Sequence, residues 1–136
     1  MDKSSIYLDT NIVADMIDGA RNNHELSLEL LKTLMLESYD VFISEDMLST
    51  LYYISDDKKA TLEFFENIIY VDWQVVPFGI DVMKKATHLS LTKGQDLEDT
   101  LQCLCAKENN CTLLITNDKK FVDCGIEIMN YERFLK

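Results

Sequence analysis

Several features that would point to other classes of protein are scarce in this chain. Its 136 residues contain one proline and four glycines, so no flexible linker rich in these residues divides it. No apolar run comes near the roughly 20 residues that a membrane-spanning helix needs. The first residues enter an apolar strand without the pattern of a signal peptide. These absences predict a single domain over residues 1–136, with no membrane contact and a cytoplasmic location.

Basic residues are also few, since 13 Lys and Arg stand against 24 Asp and Glu, which gives a formal net charge of −11. This balance argues against a protein that reads DNA through a broad basic face. It does not exclude an enzyme that meets phosphate through a divalent cation, because a bound cation reverses the local field. Part of the acidic excess is therefore a candidate metal site, and the rest is expected to be solvated helix surface.

Cysteine and histidine do not form the pattern of a zinc site. The two histidines are isolated, and Cys103 and Cys105 lie two residues apart on a predicted helix, where they point to different faces. Cys111 and Cys124 complete the set. In a chain without a secretory pattern, we expect these four cysteines to be reduced core thiols rather than disulfides.

The spacing of apolar residues predicts strands that alternate with helices. The predicted strands are 6–8, 41–43, 73–76, 112–115 and 126–129, and the predicted helices are 11–18, 25–37, 44–54, 57–69, 79–91, 97–108 and 118–123. Thr10 or Asn11 is the expected N-cap of the first helix, and Ser44 caps the third. The alternation predicts an α/β protein with three α/β/α layers, whose central, mostly parallel sheet has about five strands.

Carboxylates stand where three of these segments begin or end. Asp9 directly follows the first strand, and Asp118 follows the fourth strand after two polar residues. Asp96 and Asp99 lie three apart at the start of helix 97–108, so that both carboxylates share one face. Because an open parallel sheet binds ligands outside the carboxyl ends of its strands, we expect these acids to converge. Their mutual repulsion would raise their pKa values unless a cation neutralised them, and oxygen-only ligands suit Mg²⁺ or Mn²⁺.

Each acid also has a plainer interpretation. A carboxylate at the first residues of a helix accepts hydrogen bonds from free backbone amides and interacts favourably with the helix dipole. That role alone would account for Asp9, for the pair Asp96 and Asp99, and for Asn117 or Asp118 before the next predicted helix. A phosphatase of the haloacid type is a weaker match, since the residue two positions after Asp9 is Asn11 rather than a second Asp.

Taken in order, the acidic motifs resemble those of the PIN domain family, small metal-dependent ribonucleases that include VapC-like toxins of toxin–antitoxin pairs. The matching segments are 7–11 (YLDTN), 96–102 (DLEDTLQ) with Ala106 beyond it, 114–121 (LITNDKKF) and the closing segment 128–135 (IMNYERFL). Each motif alone is weak, but their order and spacing cover nearly the whole chain. The resemblance implies the PIN fold and an endoribonuclease that cleaves RNA phosphodiesters with water activated by Mg²⁺ or Mn²⁺.

The resemblance also implies a role for each matching residue. Asp9, Asp99 and Asp118 would hold the metal, and Asp96 beside them would act as a ligand or hold water, which makes these four the catalytic acids. The small polar residues that would orient carboxylates or water are Thr10, Asn11, Thr116 and Asn117.

Substrate and partner contacts follow from the same resemblance with less support from the residues. Lys93 and Lys119, with Lys120, are candidate contacts to RNA phosphates, although exposed lysines more commonly serve solubility. The expected partners are RNA, single-stranded or structured, an antitoxin protein, and a second copy of the chain. The apolar helices 25–37 and 58–69 are candidates for a dimer interface, and either could equally pack against the sheet.

One acid of the family pattern is missing. The family usually carries a Glu on the helix after the second strand, and the aligned residue here is Thr50. Glu45 lies about 140° away around the helix, whereas Asp46 is one turn away on the same side and is a candidate replacement. Because a hydroxyl supplies no negative charge, we expect weaker divalent binding. An alternative function is therefore a catalytically weakened or inactive PIN-like domain that binds RNA or protein.

Overall fold

The computed structural model describes residues 4–136, and its elements follow the predicted alternation. The strands are β1 (Ser5–Leu8), β2 (Asp40–Ser44), β3 (Gln74–Val76), β4 (Leu113–Ile115) and β5 (Glu127–Met129). The helices are α1 (Thr10–Ile17), α2 (His24–Leu36), α3 (Glu45–Ile54), α4 (Lys58–Phe64), α5 (Tyr70–Asp72), α6 (Ile80–Lys93), α7 (Leu97–Glu108) and α8 (Tyr131–Leu135). None of the helices in this range is long and apolar enough to cross a membrane.

The five strands form one sheet in the order β3-β2-β1-β4-β5, and every pairing is parallel. β1 lies in the centre because its apolar residues Ile6, Tyr7 and Leu8 are buried, as expected of a strand covered on both faces. Helix α1 contacts α2, α3 and α4, while α6 contacts α7 in a separate group. The predicted three-layer α/β/α architecture is confirmed, and the sheet is wholly parallel rather than mostly so.

The N-cap of α3 is the predicted residue, whereas the N-cap of α1 is a different one. The Ser44 hydroxyl accepts a hydrogen bond from the Met47 amide at 3.2 Å, so the predicted cap of α3 is confirmed. Helix α1 is capped by Asp9 rather than by Thr10 or Asn11. Asp9 has extended backbone angles and accepts from the Thr10 amide at 2.9 Å, so the helix begins one residue earlier than predicted.

The predicted helix 57–69 is longer and less regular than expected. Asp57 caps α4 by accepting from the Ala60 amide at 3.0 Å. The chain then widens into a π-helical segment, Phe65–Ile69, before α5. The wider turn places Phe65 and Ile69 in the core together, both nearly fully buried.

The prediction of a helix over residues 118–123 is wrong. The Asp118 carboxylate accepts from the Lys120 amide at 2.9 Å, and the Asp118 carbonyl accepts from Phe121 at 3.2 Å. Because an aspartate side chain competes with the backbone for nearby amides, the chain forms a turn here instead of a helix. The turn keeps Asp118 at the exposed end of β4.

The expectation of four reduced cysteines is also wrong. Cys103 on α7 and Cys124 in the segment before β5 form a disulfide, with Cα atoms 6.1 Å apart. Cys105 and Cys111 remain free thiols and are buried. The prediction that Cys103 and Cys105 point to different faces of their helix is consistent with this arrangement, since only Cys103 reaches the loop.

Candidate active site at the carboxyl end of the sheet

The sheet brings the first and last acidic segments together. β1 and β4 are neighbours in register, with Leu8 opposite Ile115. The pairing continues past the strands, because the Asp9 amide donates to the Ile115 carbonyl at 3.0 Å. The connections from these two strands leave in opposite directions along the sheet, which is the switch point where open parallel sheets bind ligands.

Asp9 is the most enclosed of the four predicted acids, with only 6% of its surface exposed. One carboxylate oxygen accepts from the Thr10 amide at 2.9 Å, and the other accepts from the Thr116 hydroxyl at 2.7 Å. Burial raises the pKa of Asp9, and the Asp118 charge raises it slightly further, while these two hydrogen bonds oppose the rise. The Asp9 carboxylate is therefore fixed in orientation, with a free lone pair on each oxygen.

The pKa of Asp99 reflects negative charges that come from three separate parts of the fold. Partial burial raises the pKa of Asp99 to about 6, and the largest added contributions come from the carboxylates of Asp96, Asp9 and Asp118 in that order. Glu98 adds a smaller one. These neighbours stand at the end of β1, at the start of α7 and after β4. Asp9, Asp96 and Asp118 therefore lie close enough to Asp99 to raise its pKa, in agreement with the predicted convergence of the acids.

Asp96 and Asp118 lie at the exposed rim of this cluster. Asp96 caps α7 by accepting from the Asp99 amide at 2.9 Å, so its plainer interpretation also holds. Asp118 is held through its backbone, since its amide donates to the Thr116 hydroxyl at 3.1 Å. Thr116 thus contacts both Asp9 and Asp118. It is almost fully buried between the two acids that it positions.

A divalent cation fits the chemistry of this cluster but requires some movement. Within residues 4–136, no three His, Cys, Asp or Glu side chains are already gathered closely enough to enclose an ion. A carboxylate shifts a neighbour's pKa across several ångströms, whereas a Mg²⁺–oxygen bond measures about 2.1 Å. Ligation therefore requires rotation of the more exposed side chains toward Asp9. The Thr10 hydroxyl beside Asp9 is buried without a hydrogen-bond partner in the described range, as expected where a water or ion completes a site.

Within the described part of the chain, no carboxylate takes the place of the Glu that the family usually carries at the position of Thr50. Thr50 is half-buried on α3, and its hydroxyl donates weakly to the Asp46 carbonyl at 3.5 Å, within its own helix. Glu45 and Asp46 are exposed, and neither is among the charges that raise the pKa of Asp99. Replacement of the missing acid by Asp46 stays a prediction without support from this charge distribution.

The other predicted residues lie on the surface around the acids. Asn11 is exposed, and its side-chain oxygen accepts from Arg21 at 3.3 Å. Asn117 and Lys119 flank Asp118 and are both exposed, and Lys93 is the last residue of α6. Their positions allow contact with a bound polymer, but no hydrogen bond ties these residues to an acid of the cluster.

Sequence reasoning missed two buried polar contacts near the site. Asp15, within the apolar run of α1, is almost fully buried and accepts from Arg21 at 2.7 Å and from the Tyr131 hydroxyl at 2.7 Å. The second contact joins Tyr7 on β1 to Gln102 on α7. A lone acid inside an apolar helix was a signal for the first. Nothing in the sequence pattern marked the second.

Fold and site together define a small, fully parallel α/β domain with an acidic centre at the switch point of its sheet. The family model of the PIN domain matches residues 6–126. Because this match spans most of the chain, the protein belongs to the PIN domain family.

The relatives agree with this assignment. The chain is 33% identical over 140 residues to Ribonuclease VapC1 of Aquifex aeolicus, and the match covers 98% of this chain and 95% of that protein. Two solved structures share the fold at lower identity. VapC20 of Mycobacterium tuberculosis, described as a toxin that cleaves the sarcin-ricin loop, superposes with a TM-score of 0.71 at 15% identity, covering 89% of this chain and 95% of its own. FitAcB of Neisseria gonorrhoeae gives 0.69 at 21% identity, covering 93% and 98%.

Proposed function

We propose that this chain is a PIN-type endoribonuclease that cleaves RNA phosphodiesters with a divalent cation, and that it is the toxin of a type II toxin–antitoxin pair. The observation that carries the proposal is the meeting of acids from separate elements: Thr116 ties Asp9 to the Asp118 backbone, and burial with the charges of Asp96, Asp9 and Asp118 raises the pKa of Asp99 to about 6. Asp9 and Asp96 also cap helices, but capping does not account for the repulsion at Asp99, which a cation would relieve. The identity to a ribonuclease along almost the whole chain supports the proposal.

The cation would be Mg²⁺ or Mn²⁺, since the donors are carboxylate oxygens. Asp9, Asp99 and Asp118 would hold it. When bound, such an ion supplies a water of lowered pKa and neutralises charge that develops on the phosphate. Thr116 orients Asp9 and the Asp118 backbone through the two hydrogen bonds described above. Asp96 uses one oxygen to cap α7 and would use the other to position the attacking water.

Substrate contacts in this proposal are few, as expected of an acidic protein. Lys93 and Lys119 would meet RNA phosphates on either side of the cut, with Lys120 beside them. The bound cation supplies the remaining attraction for the backbone, because it offsets the negative field of the cluster. The substrate is a single-stranded or structured RNA.

The partner proposals rest on relatives with the same fold. One similar structure is VapBC2 of Rickettsia felis bound to a DNA fragment from its promoter, and it has a TM-score of 0.68 at 21% identity. An antitoxin protein is accordingly the proposed partner of this chain. A homodimer stays a prediction. Helix α2 exposes Leu26, Leu28, Met35 and Leu36, which is the kind of surface that a second copy would cover.

The proposal is tested by mapping RNA ends in bacteria that express either the wild-type chain or Asp99→Asn. The wild type should arrest growth and create a small set of new 5′ ends, and the variant should create none. Because external water rather than the 2′-hydroxyl attacks phosphorus, the upstream fragments should carry no 2′,3′-cyclic phosphate. In vitro, the purified protein should cut the mapped RNA with Mn²⁺ and stop on addition of EDTA. The same new ends in cells expressing the variant would refute the proposal.

A second candidate function is a binding module that does not cut, and Thr50 is the observation that favours it. The site there has a hydroxyl where the family usually has a carboxylate, so its affinity for a cation should be reduced. RNA binding that is retained in EDTA, without cleavage, would support this function. Strong cleavage by Thr50→Glu, with little by the wild type, would show that the site is weakened by this one residue.

A further inference from the structure

A short chain of hydrogen bonds runs beneath the acidic cluster. The Tyr7 hydroxyl bonds to the side-chain oxygen of Gln102, and the Gln102 amide nitrogen donates to the Glu98 carboxylate at 2.9 Å. Both Tyr7 and Gln102 have no exposed surface. Because a carboxylate only accepts, Glu98 fixes which end of the Gln102 amide faces Tyr7. The Tyr7 hydroxyl must then donate to the Gln102 oxygen.

The two ends of this contact lie on the two elements that carry the innermost acids. Tyr7 stands two residues before Asp9 on β1, and Gln102 stands one helical turn after Asp99 on α7. It joins the two elements directly, and the Tyr7 hydroxyl also interacts with the Cys105 thiol on the same helix. The direction of this contact therefore constrains how the start of α7 approaches the end of β1.

Packing alone would not have required a polar pair here. Two apolar side chains of similar volume would fill the same space between β1 and α7, and a buried hydrogen bond adds only about 1 kcal/mol to stability over such a replacement. The hydrogen bond fixes the position of α7 along the sheet, because it is directional. Apolar contacts are not directional and allow a helix to slide on a sheet by fractions of an ångström. A metal site tolerates little such movement, because each ligand must reach one common point.

We propose that the buried bond between Tyr7 and Gln102, held at its outer end by Glu98, sets the approach of Asp99 to Asp9 and thereby the affinity of the site for a divalent cation. Tyr7 and Gln102 are positioning residues, since neither touches the cation or the RNA. This role rests on the metal centre proposed above. It does not depend on which RNA is cut, or on whether RNA is cut at all.

The test is a double-mutant cycle on Mn²⁺ binding, with Tyr7→Phe, Gln102→Met and the double variant. Tyr7→Phe removes only the hydroxyl and keeps the ring in the core, so it carries the test even where a substitution at Gln102 impairs folding. The matched control is Thr61→Val, which removes another fully buried hydroxyl, one that lies 2.6 Å from the Ser55 hydroxyl and 3.0 Å from the Asp57 carbonyl oxygen. The readouts are the Mn²⁺ dissociation constant by calorimetry and the melting temperature without metal.

We expect each single variant to weaken Mn²⁺ binding about tenfold, as loss of partners that orient ligands does in other metal sites. The double variant should bind no more weakly than either single variant, because both remove the same bond. Thr61→Val should lower the melting temperature and leave Mn²⁺ binding within about twofold of the wild type.

Three results would overturn the proposal. Unchanged Mn²⁺ binding by Tyr7→Phe, with a lowered melting temperature, would show that Tyr7 and Gln102 stabilise the fold without positioning the metal ligands. Losses that multiply in the double variant would show that the two residues act separately. No saturable Mn²⁺ binding by the wild type would refute the metal centre, and with it any positioning of that centre. A chain that binds Mn²⁺ but cuts no RNA would refute the nuclease while leaving the role of the pair measurable.

Discussion

Asp99 offers a prediction in which stability and metal binding change in opposite directions. Its pKa of about 6, against an ordinary value of 3.8, means that the charged carboxylate is less favourable in the metal-free fold than in the unfolded chain. Two pKa units correspond to at most about 3 kcal/mol, and because Asp99 is partly exposed, solvent screening reduces this to about 1 kcal/mol. Asp99→Asn removes the penalty, so the metal-free variant should melt about 3 °C higher than the wild type at pH 7.5.

The pH dependence follows from the same shift. The folded pKa of Asp99 lies above the unfolded one, so the stability that protonation contributes is present below pH 3.8 and lost as the pH rises through about 6. The advantage of Asp99→Asn should therefore be full at pH 7.5 and nearly absent at pH 3, below the unfolded pKa. Added Mn²⁺ should raise the melting temperature of the wild type at pH 7.5 and leave that of the variant unchanged.

Differential scanning fluorimetry at the two pH values, with and without Mn²⁺, measures all of these quantities. The matched control is Asp81→Asn, since Asp81 also lies in the first turn of a helix but is not among the charges that raise the pKa of Asp99. Loss of its favourable interaction with the helix dipole should lower the melting temperature slightly at pH 7.5. A drop of the same size for Asp99→Asn would mean that the repulsion around Asp99 does not exist, and the reasoning would fail.

Two further predictions concern contacts beside the cluster. Thr116→Val removes the hydrogen bond that lowers the pKa of Asp9, so the midpoint of the pH dependence of Mn²⁺ binding should move to higher pH; an unchanged midpoint in calorimetric titrations would contradict this role. Protein purified without reductant should expose two titratable thiols in denaturant and four after reduction, and reduction should cost about 3 kcal/mol of stability in a urea titration. Four thiols before reduction would show that the bridge does not form under those conditions.

Much of the fold was predictable because its strands are short apolar runs bounded by polar residues. Such runs are what a parallel sheet covered on both faces requires, and the acids that follow β1 and β4 then fall at one edge. The turn at Asp118 was not predictable from periodicity, because it depends on a side chain that satisfies a backbone amide. A sequence pattern predicts which elements form better than it predicts which local contacts end them.

The disulfide and the buried polar pair escaped prediction for a different reason. Cys103 and Cys124 lie 21 residues apart, and only the packing of α7 against the following loop brings them together. Tyr7 fits the apolar pattern of β1, Gln102 is a polar residue that its neighbours on α7 do not mark as buried, and their contact spans 95 residues. Both are consequences of tertiary packing, for which a single sequence without its fold carries no local signal.

The central position of β1 has a consequence for how the protein is made. Asp9 emerges from the ribosome early, yet its hydrogen-bond partner Thr116 follows 107 residues later. At about 5 to 20 residues per second, the strand that completes the site is synthesised roughly 5 to 20 seconds after the strand that begins it. Incomplete chains therefore hold the first acid without the last. A ribosome that stalls before β4 releases a fragment with no complete acidic centre, so the activity proposed here is confined to finished molecules.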